Sequence, residues 1–302
     1  MSTPSPADAP GFCLDRRALA RAFDRAGRSY DAAAWLQRRA AAELLERLQF
    51  FALRPRRLLE LGAGTCHGAA LLARRYPRAQ VLAVDLSAGM LRAAPRSWWR
   101  RGYARICADA GALPLAAHSV DLIYSNLMLQ WCDRPAALFA ELARVLVPGG
   151  LLLFSSLGPQ SLAELRHAWA AADTAIHVSE FPDMAQLGAA LARAGFVEPV
   201  LDVEPVRHHY AEVRALAAEL RALGAHNAAS SRARGLTGRA RWRAMNEAYE
   251  RLRGPAGLPA TYELLFGAAF NSGAGASGAA AGHGGGAEIA VPIGSLRSRP
   301  RA

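Results

Sequence analysis

The stretch from residue 57 to residue 75 constrains the fold of this chain more than any other. It begins with the apolar strand pattern RLLEL, runs into the turn GAG at residues 62–64 and continues as a helical pattern. Glycines permit a tight turn and let a ligand approach the backbone closely. A strand, a glycine-rich turn and a helix in this order are typical of the first unit of an α/β sheet.

The same alternation continues along the chain. Short apolar runs predict strands at 57–61, 80–85, 103–108, 120–125, 150–155, 197–204 and 262–270. Helical patterns between the first five strands lie at 67–75, 87–95 and 135–146. Strands joined by helical crossovers run parallel. We therefore predict an α/β fold with a doubly wound, mostly parallel seven-stranded sheet, preceded by N-terminal helices.

The other segments define the predicted organisation of the chain. Residues 1–14 are predicted to be disordered, and residues 15–270 are predicted to form one domain. Helical patterns at 211–223 and 237–252 separate the last two strands, and we interpret the insertion 205–253 as a lid. Residues 271–287 contain seven glycines, a composition typical of a flexible linker, and residues 288–302 form a short tail.

Composition excludes several classes of protein. No apolar run approaches the length of about 18 residues that a membrane helix needs, and the N-terminus lacks a signal-peptide pattern, so we expect a cytoplasmic protein without a membrane partner. The four cysteines form no C-x-x-C pair, so we predict neither a metal site nor disulfides. The net charge of +11 comes from scattered arginines without a dense basic block, so we expect no nucleic-acid partner.

Polar side chains stand at the ends of four predicted parallel strands, namely Glu60, Asp85, Asp109 and Asn126. The carboxyl ends of parallel strands meet at the edge where α/β sheets bind ligands. A carboxylate about twenty residues after a glycine turn can accept both hydroxyls of a ribose. His67 stands where a dinucleotide fingerprint requires its third glycine. The pattern thus indicates an adenosine-containing ligand other than a nicotinamide dinucleotide.

Five segments in order resemble the motifs of class I S-adenosylmethionine methyltransferases: ELGAG at 60–64, VDLS at 84–87, ADAGALP at 108–114, SVDLIYSN at 119–126 and VPGG at 147–150. The resemblance implies that S-adenosyl-L-methionine is the cofactor. It implies that Glu60 and the glycine turn contact the methionine part, Asp85 the ribose and Asp109 the adenine amino group, with Asn126 near the methyl. The implied cofactor-binding residues are Glu60, Gly62, Gly64, Asp85, Leu86, Asp109, Ala110 and Asn126.

Segments outside the cofactor half narrow the resemblance. The sequences FDRAGRSYDAAAWLQ at 23–37, SNLMLQW at 125–131, ELRALGAHN at 219–227 and PATYELLFG at 259–267 resemble the malonyl-acyl-carrier-protein O-methyltransferases of early biotin synthesis. The implied reaction methylates the free carboxylate of a malonyl group carried by acyl carrier protein or coenzyme A. That carboxylate is already ionised at neutral pH, so we expect no acid/base catalytic residue. Candidate substrate contacts are Tyr30, Trp131, Phe181, Tyr210 and Arg221, the last as the counter-charge of the malonyl carboxylate.

Three alternatives remain at this point. An arginine-hydroxylase-type complex I assembly factor shares the segments ALGAHN and PATYE, although residues 23–37 favour the biotin enzyme. A non-enzymatic protein could retain the same fold, although Asp85 and the intact glycine turn oppose this. A nucleic-acid methyltransferase is opposed by SNLM at 125–128, which replaces the tetrad typical of base N-methylation.

Overall fold

The computed structural model describes residues 14–95, 102–225, 227 and 237–273. The predicted disordered N-terminus before residue 14, almost all of the predicted linker 271–287 and the tail 288–302 lie outside these residues. Part of the predicted insertion, residues 226 and 228–236, also lies outside them.

Seven strands form one sheet in the order β3-β2-β1-β4-β5-β7-β6. They are β1 (Arg57–Leu61), β2 (Gln80–Asp85), β3 (Tyr103–Cys107), β4 (Val120–Ser125), β5 (Leu146–Leu157), β6 (Phe196–Tyr210) and β7 (Leu258–Asn271). The first five run parallel, and β7 pairs antiparallel with β5 and β6. This confirms the predicted mostly parallel sheet. The chain order reverses between β1 and β4, which opens a ligand-binding crevice at their carboxyl ends.

The helices lie on both faces of the sheet and across its carboxyl edge. They are α1 (Arg16–Ala26), α2 (Tyr30–Ala33), α3 (Trp35–Arg47), α4 (His67–Arg75), α5 (Ala88–Ala93), α6 (Pro135–Val145), α7 (Ala163–Ala170), α8 (Met184–Arg193), α9 (Val213–Ala222) and α10 (Arg239–Glu250). In the described part of the chain, no helix is both long enough and apolar enough to cross a bilayer.

The core fills both faces of the sheet because the central strands are buried on both sides. Side chains alternate along β1, so Leu58 packs toward the face that holds α3 and α4, whereas Leu59 and Leu61 pack toward α6 and α8. Glu60 is the polar exception in this strand and is only 4% exposed. A carboxyl group at such a position requires a hydrogen-bonding partner.

Strand β6 is longer than the sequence predicted. It pairs with β7 from Phe196 opposite Asn271 to Tyr210 opposite Leu258, with a bulge between Val197 and Val200. The predicted strand 197–204 stops short because exposed polar residues continue the pairing on this outer strand. The helical insertion therefore starts after Tyr210 and not at residue 205.

The N-terminal helices cover the carboxyl edge of the sheet. Helix α1 is fixed to the start of α5 by Asp24, whose Oδ1 accepts hydrogen bonds from the Ser87 hydroxyl (2.6 Å) and the Gly89 amide (2.7 Å). In the insertion, the Glu219 carboxylate of α9 accepts a hydrogen bond from the Trp35 indole (2.8 Å). These contacts hold α1 and α9 over the crevice.

Candidate active site

A cavity of about 270 Å³ lies at the carboxyl ends of β1, β2, β3 and β4. Six of the predicted cofactor-binding residues line it: Gly62, Gly64, Asp85, Leu86, Asp109 and Ala110. The N-terminal helices add Arg16, Leu19, Phe23 and Tyr30, and the segment after β4 adds Met128 and Trp131. The structure thus brings these six residues together around one space.

The glycine turn is left-handed and opens toward this cavity. Gly62 and Gly64 have φ angles of +72° and +53°, which residues other than glycine rarely adopt. The amides of Gly62 and Ala63 both donate to the Val84 carbonyl at 2.9 Å, which fixes the turn to β2. A methyl group added at Gly64 would make only ordinary contacts, with Met90 and Tyr30 atoms at 3.9 Å. The glycines are therefore required by the left-handed backbone of the turn.

Asp85 is held rigidly at the end of β2. Its Oδ2 accepts the Gly64 amide at 2.8 Å, and its Oδ1 accepts the Ser87 amide at 2.7 Å. Burial raises the pKa of Asp85, and the two amide hydrogen bonds act in the opposite direction. Each carboxylate oxygen retains a lone pair, so Asp85 can accept further hydrogen bonds from a ligand in the cavity.

Asp109 has a partner that the sequence did not indicate. The Arg16 guanidinium of α1 forms an ion pair with its Oδ2, although Arg16 lies 93 residues earlier in the chain. Its Oδ1 accepts the Gly111 amide at 2.8 Å. Arg16 also lies 3.4 Å from an Asp133 oxygen. The contact between Asp109 and an adenine amino group stays a prediction.

The two remaining predicted cofactor residues, Glu60 and Asn126, line an adjoining space together with Tyr30, Gln37 and Arg38. The Glu60 carboxyl accepts the Ala69 amide at 2.8 Å, so it binds the first turn of α4. Burial raises the pKa of Glu60 to about 8, although the Ala69 hydrogen bond opposes this shift.

Asn126 is already hydrogen-bonded within the fold. Its Nδ2 donates to the Gln37 carbonyl at 2.9 Å, and its Oδ1 accepts the Ser155 hydroxyl at 2.8 Å. These bonds join the end of β4 to α3 and β5. A role for Asn126 near the methyl group stays a prediction.

A second cavity, of about 110 Å³, adjoins the first, and Phe23, Tyr30 and Trp131 line both. The rings of Phe23 and Trp131 meet edge to face with centroids 5.3 Å apart. Phe181 lines the second cavity, as do Glu219 and Leu220 of the insertion. Three of the predicted substrate residues therefore lie at these cavities. Tyr30 and Trp131 lie at the junction, and Phe181 lines the second cavity.

The structure places the other two candidates elsewhere. Tyr210 is only 7% exposed, and its hydroxyl bonds to Glu219 (2.9 Å) and Tyr262 (3.1 Å) within the core. Arg221 is exposed on α9 and is absent from the described cavity walls. Successive residues of a helix point in different directions, so Glu219 and Leu220 reach the cavity whereas Arg221 does not. The structure therefore places neither Tyr210 nor Arg221 on the described walls of the two cavities.

Sequence reasoning missed several polar residues of the second cavity, among them Gln130 and His177. Gln130 is 8% exposed and donates from Nε2 to the Leu127 carbonyl at 2.7 Å. Its Oε1 has no hydrogen-bonding partner among the residues that the structure describes. Gln130 stands beside Trp131 in the segment 125–131, so that motif was a usable signal. His177 also lines the cavity, and no motif marked it.

Known proteins with similar sequences identify the family. Residues 59–154 match the family described as "Methyltransferase domain". The chain is 46% identical over 266 residues to the malonyl-[acyl-carrier protein] O-methyltransferase of Gallionella capsiferriformans, which covers 86% of this chain and 92% of the relative. It is 47% identical over 268 residues to that of Laribacter hongkongensis, covering 86% and 90%. The chain belongs to the malonyl-[acyl-carrier protein] O-methyltransferase family.

Solved structures agree with this family at the level of the fold. The YcgJ protein of Bacillus subtilis aligns with a TM-score of 0.53 at 16% identity, covering 75% of this chain and 97% of that chain. A methyltransferase of Thermotoga maritima aligns with a TM-score of 0.51 at 17% identity, covering 84% and 99%. Membership in the O-methyltransferase family confirms the predicted methyltransferase class, and these relatives give no support to an assembly factor.

Proposed function

We propose that this protein transfers the methyl group of S-adenosyl-L-methionine to the free carboxylate of malonyl-acyl carrier protein. The product is the malonyl methyl ester that begins biotin synthesis. The observation that carries the proposal is the joining of two cavities at Phe23, Tyr30 and Trp131. One cavity has the residues of a nucleoside site, and the other has room for an acyl group. The family of the chain supports the same reaction.

The first cavity fits S-adenosylmethionine. Asp85 would accept the ribose hydroxyls, and the apolar walls formed by Leu86, Met90 and Ala110 suit an adenine ring. Gly64 lines this cavity, and a glycine lets a ligand approach the backbone closely. In the adjoining space, the Arg38 guanidinium and the Glu60 carboxyl can bind the carboxylate and ammonium of the methionine part. When bound, the cofactor supplies the electrophilic methyl group.

The protein has to align the reacting groups and exclude water. A malonyl carboxylate is an ionised nucleophile at neutral pH, so it needs no base to activate it. Fixed alignment of two reactants can account for several kcal/mol of barrier lowering, on the order of 7 to 11 at most. The rings of Phe23, Tyr30 and Trp131 surround the junction where the two reactants would meet, and they limit the access of water there.

A comparison of acyl groups tests the proposed substrate directly. Initial methylation rates are measured with malonyl-, succinyl- and acetyl-acyl carrier protein, and with malonyl-coenzyme A, which carries the same acyl group on a small molecule. Succinyl should react more slowly than malonyl because its extra methylene moves the oxygen out of line, and acetyl should not react. Absence of methylation on malonyl, with oxygen gained by an arginine-containing protein instead, would replace this proposal with the assembly-factor function.

A further inference from the structure

The second cavity contains an unexpected basic group. Within the described part of the chain, its walls are mostly apolar, and His177 is the one wall residue able to carry a positive charge. This is notable in a chain with 36 arginines. A carboxylate entering an apolar cavity needs a charged or hydrogen-bonding partner, because burial of an unpaired charge is unfavourable.

The His177 ring is fixed in two directions. It stacks on the indole of Trp169 with centroids 3.7 Å apart and an angle of 8° between the planes. Its Nε2 lies 2.7 Å from Asp173 Oδ1. The stack fixes the plane of the imidazole, and the hydrogen bond fixes its rotation within that plane. An indole face also stabilises a cation that rests on it.

Asp173 gives the His177 ring an anionic partner. The hydrogen bond from His177 holds the pKa of Asp173 below its usual value. Asp173 is therefore an anion at neutral pH and accepts a hydrogen bond from Nε2. The other oxygen of Asp173 lies 3.7 Å from the Arg241 guanidinium. Among the described residues, the hydrogen bond of the His177 ring joins Nε2 to Asp173, which leaves Nδ1 for a ligand.

One acidic residue also lines the second cavity, and its negative charge affects the binding of an anion there. Glu219 lines the second cavity, but its Oε1 already accepts hydrogen bonds from the Trp35 indole (2.8 Å) and the Tyr210 hydroxyl (2.9 Å). These donors offset its negative charge. The imidazole of His177 therefore remains the group on this wall that attracts an anion.

We propose that the His177 imidazolium binds the carboxylate of the acyl substrate through Nδ1 and that Asp173 positions it. This inference rests on the proposed function. The imidazolium donates to one carboxylate oxygen, and the other oxygen attacks. The new O–C bond to the methyl carbon forms as the S–C bond breaks, and the electron pair of the S–C bond goes to sulfur. The ester product has no charge, so its attraction to His177 is lost and product release is favoured.

A binding cycle tests this assignment without relying on turnover. The affinities of malonyl- and acetyl-pantetheine thioesters are measured by calorimetry for the wild type and His177→Gln, with S-adenosylhomocysteine present to prevent reaction. The wild type should prefer malonyl by about tenfold or more, since charge-assisted hydrogen bonds are the strong ones. His177→Gln should bind both thioesters equally. If His177→Gln binds the acetyl thioester as tightly as the wild type does, the cavity of the variant is intact.

Control variants separate the possible outcomes. His209→Gln changes an exposed histidine of β6 and should keep the full preference for malonyl. Asp173→Asn should lose part of that preference, because the ring loses the anion that positions it. Retention of the malonyl preference by His177→Gln would overturn the role of His177 while leaving the proposed function intact. A wild-type protein that binds both thioesters equally would contradict the malonyl substrate itself.

Discussion

At the scale of single residues, two acids at neighbouring strand ends have different surroundings. Asp85 is held by the backbone amides of Gly64 and Ser87 and lines the first cavity. Glu60 is buried against the start of α4 and accepts the Ala69 amide. The sequence predicted that both acids lie at the carboxyl edge. It could not predict the partner of Glu60, because that partner depends on how α4 begins after the left-handed residue Cys66.

Asp85→Ala should weaken S-adenosylmethionine binding by about tenfold or more, because each charge-assisted hydrogen bond that is lost contributes about 1.5 to 3 kcal/mol. Isothermal titration calorimetry measures the change. Asp202→Ala, which removes an exposed acid of the outer strand β6, is the matched control and should bind normally. If a folded Asp85→Ala variant bound S-adenosylmethionine as tightly as the wild type, Asp85 would not be part of the ribose site.

Glu60→Gln should flatten the pH dependence of stability in the ligand-free protein. Burial raises the pKa of Glu60 from 4.5 to about 8, so the folded state holds this proton more tightly than the unfolded state. The wild type therefore loses stability through this group as pH rises from 4.5 to 8, by about 1.4 kcal/mol for each pKa unit of the shift. Glutamine cannot ionise, and it can still accept the Ala69 amide.

Urea unfolding of both proteins at several pH values between these limits gives the free energies of unfolding. The difference between the wild type and Glu60→Gln should change steadily in favour of the variant as the pH rises. Parallel pH curves for the two proteins would show that Glu60 is ionised in the folded state throughout this range.

At the scale of elements, the positions of helices over the crevice depend on contacts between distant segments. The α9 pattern predicted a helix, and the structure has one at Val213–Ala222. The pattern did not show which of its side chains reach the cavity, since rotation about the helix axis is set by the packing of Leu216 and Val213 in the core. That is why Arg221 was placed on the substrate wall by sequence reasoning and lies outside it in the structure.

Arg221→Ala should leave turnover of the malonyl thioester unchanged, since this side chain is exposed. Leu220→Ala changes the preceding residue, which lines the second cavity, and should raise KM for the same substrate. Steady-state kinetics of the two variants make the comparison on one helix. A reduced kcat/KM for Arg221→Ala with normal cofactor affinity would restore Arg221 to the substrate site.

Gly89→Ala should destabilise the protein, although alanine is normally the better helix residue. A methyl group at Gly89 would lie 2.7 Å from Asp24 Cα and 2.9 Å from its carbonyl oxygen, so α1 would have to move. Overpacking of this kind typically costs about 1 to 3 kcal/mol. Because α1 carries Arg16 and Phe23 of the first cavity, cofactor affinity should fall as well.

Gly188→Ala in α8 is the matched control for this substitution. A methyl group there would lie 3.5 Å from Leu201 Cδ1, an ordinary contact. The change should stabilise the protein by up to about 1 kcal/mol, the usual gain of alanine over glycine in a helix. Thermal unfolding and cofactor titration measure both variants. If Gly89→Ala and Gly188→Ala behaved alike, the close contact between α1 and α5 would not exist in solution.

At the scale of the whole molecule, the sheet was predictable and the second cavity was not. The βα units leave local signals in the sequence, and both β1 (Arg57–Leu61) and β2 (Gln80–Asp85) lie at their predicted positions. Distant elements assemble the second cavity, namely α1, α2, α3, the segment after β4, the end of β5, α7, the segment 177–181, α9 and β7. No local sequence pattern shows that these distant segments come together, so His177 could be assigned to the second cavity only from the structure.

The most direct test of the account is the mass of malonyl-acyl carrier protein after incubation with this protein and S-adenosylmethionine. We predict a gain of one methyl group located on the malonyl carboxylate and removed by mild base, as expected for an ester. The Asp85→Ala variant should produce far less of it at a limiting cofactor concentration. An unmodified malonyl group after incubation with the folded wild-type protein, or a methyl group on any other atom of the substrate, would contradict the proposed function.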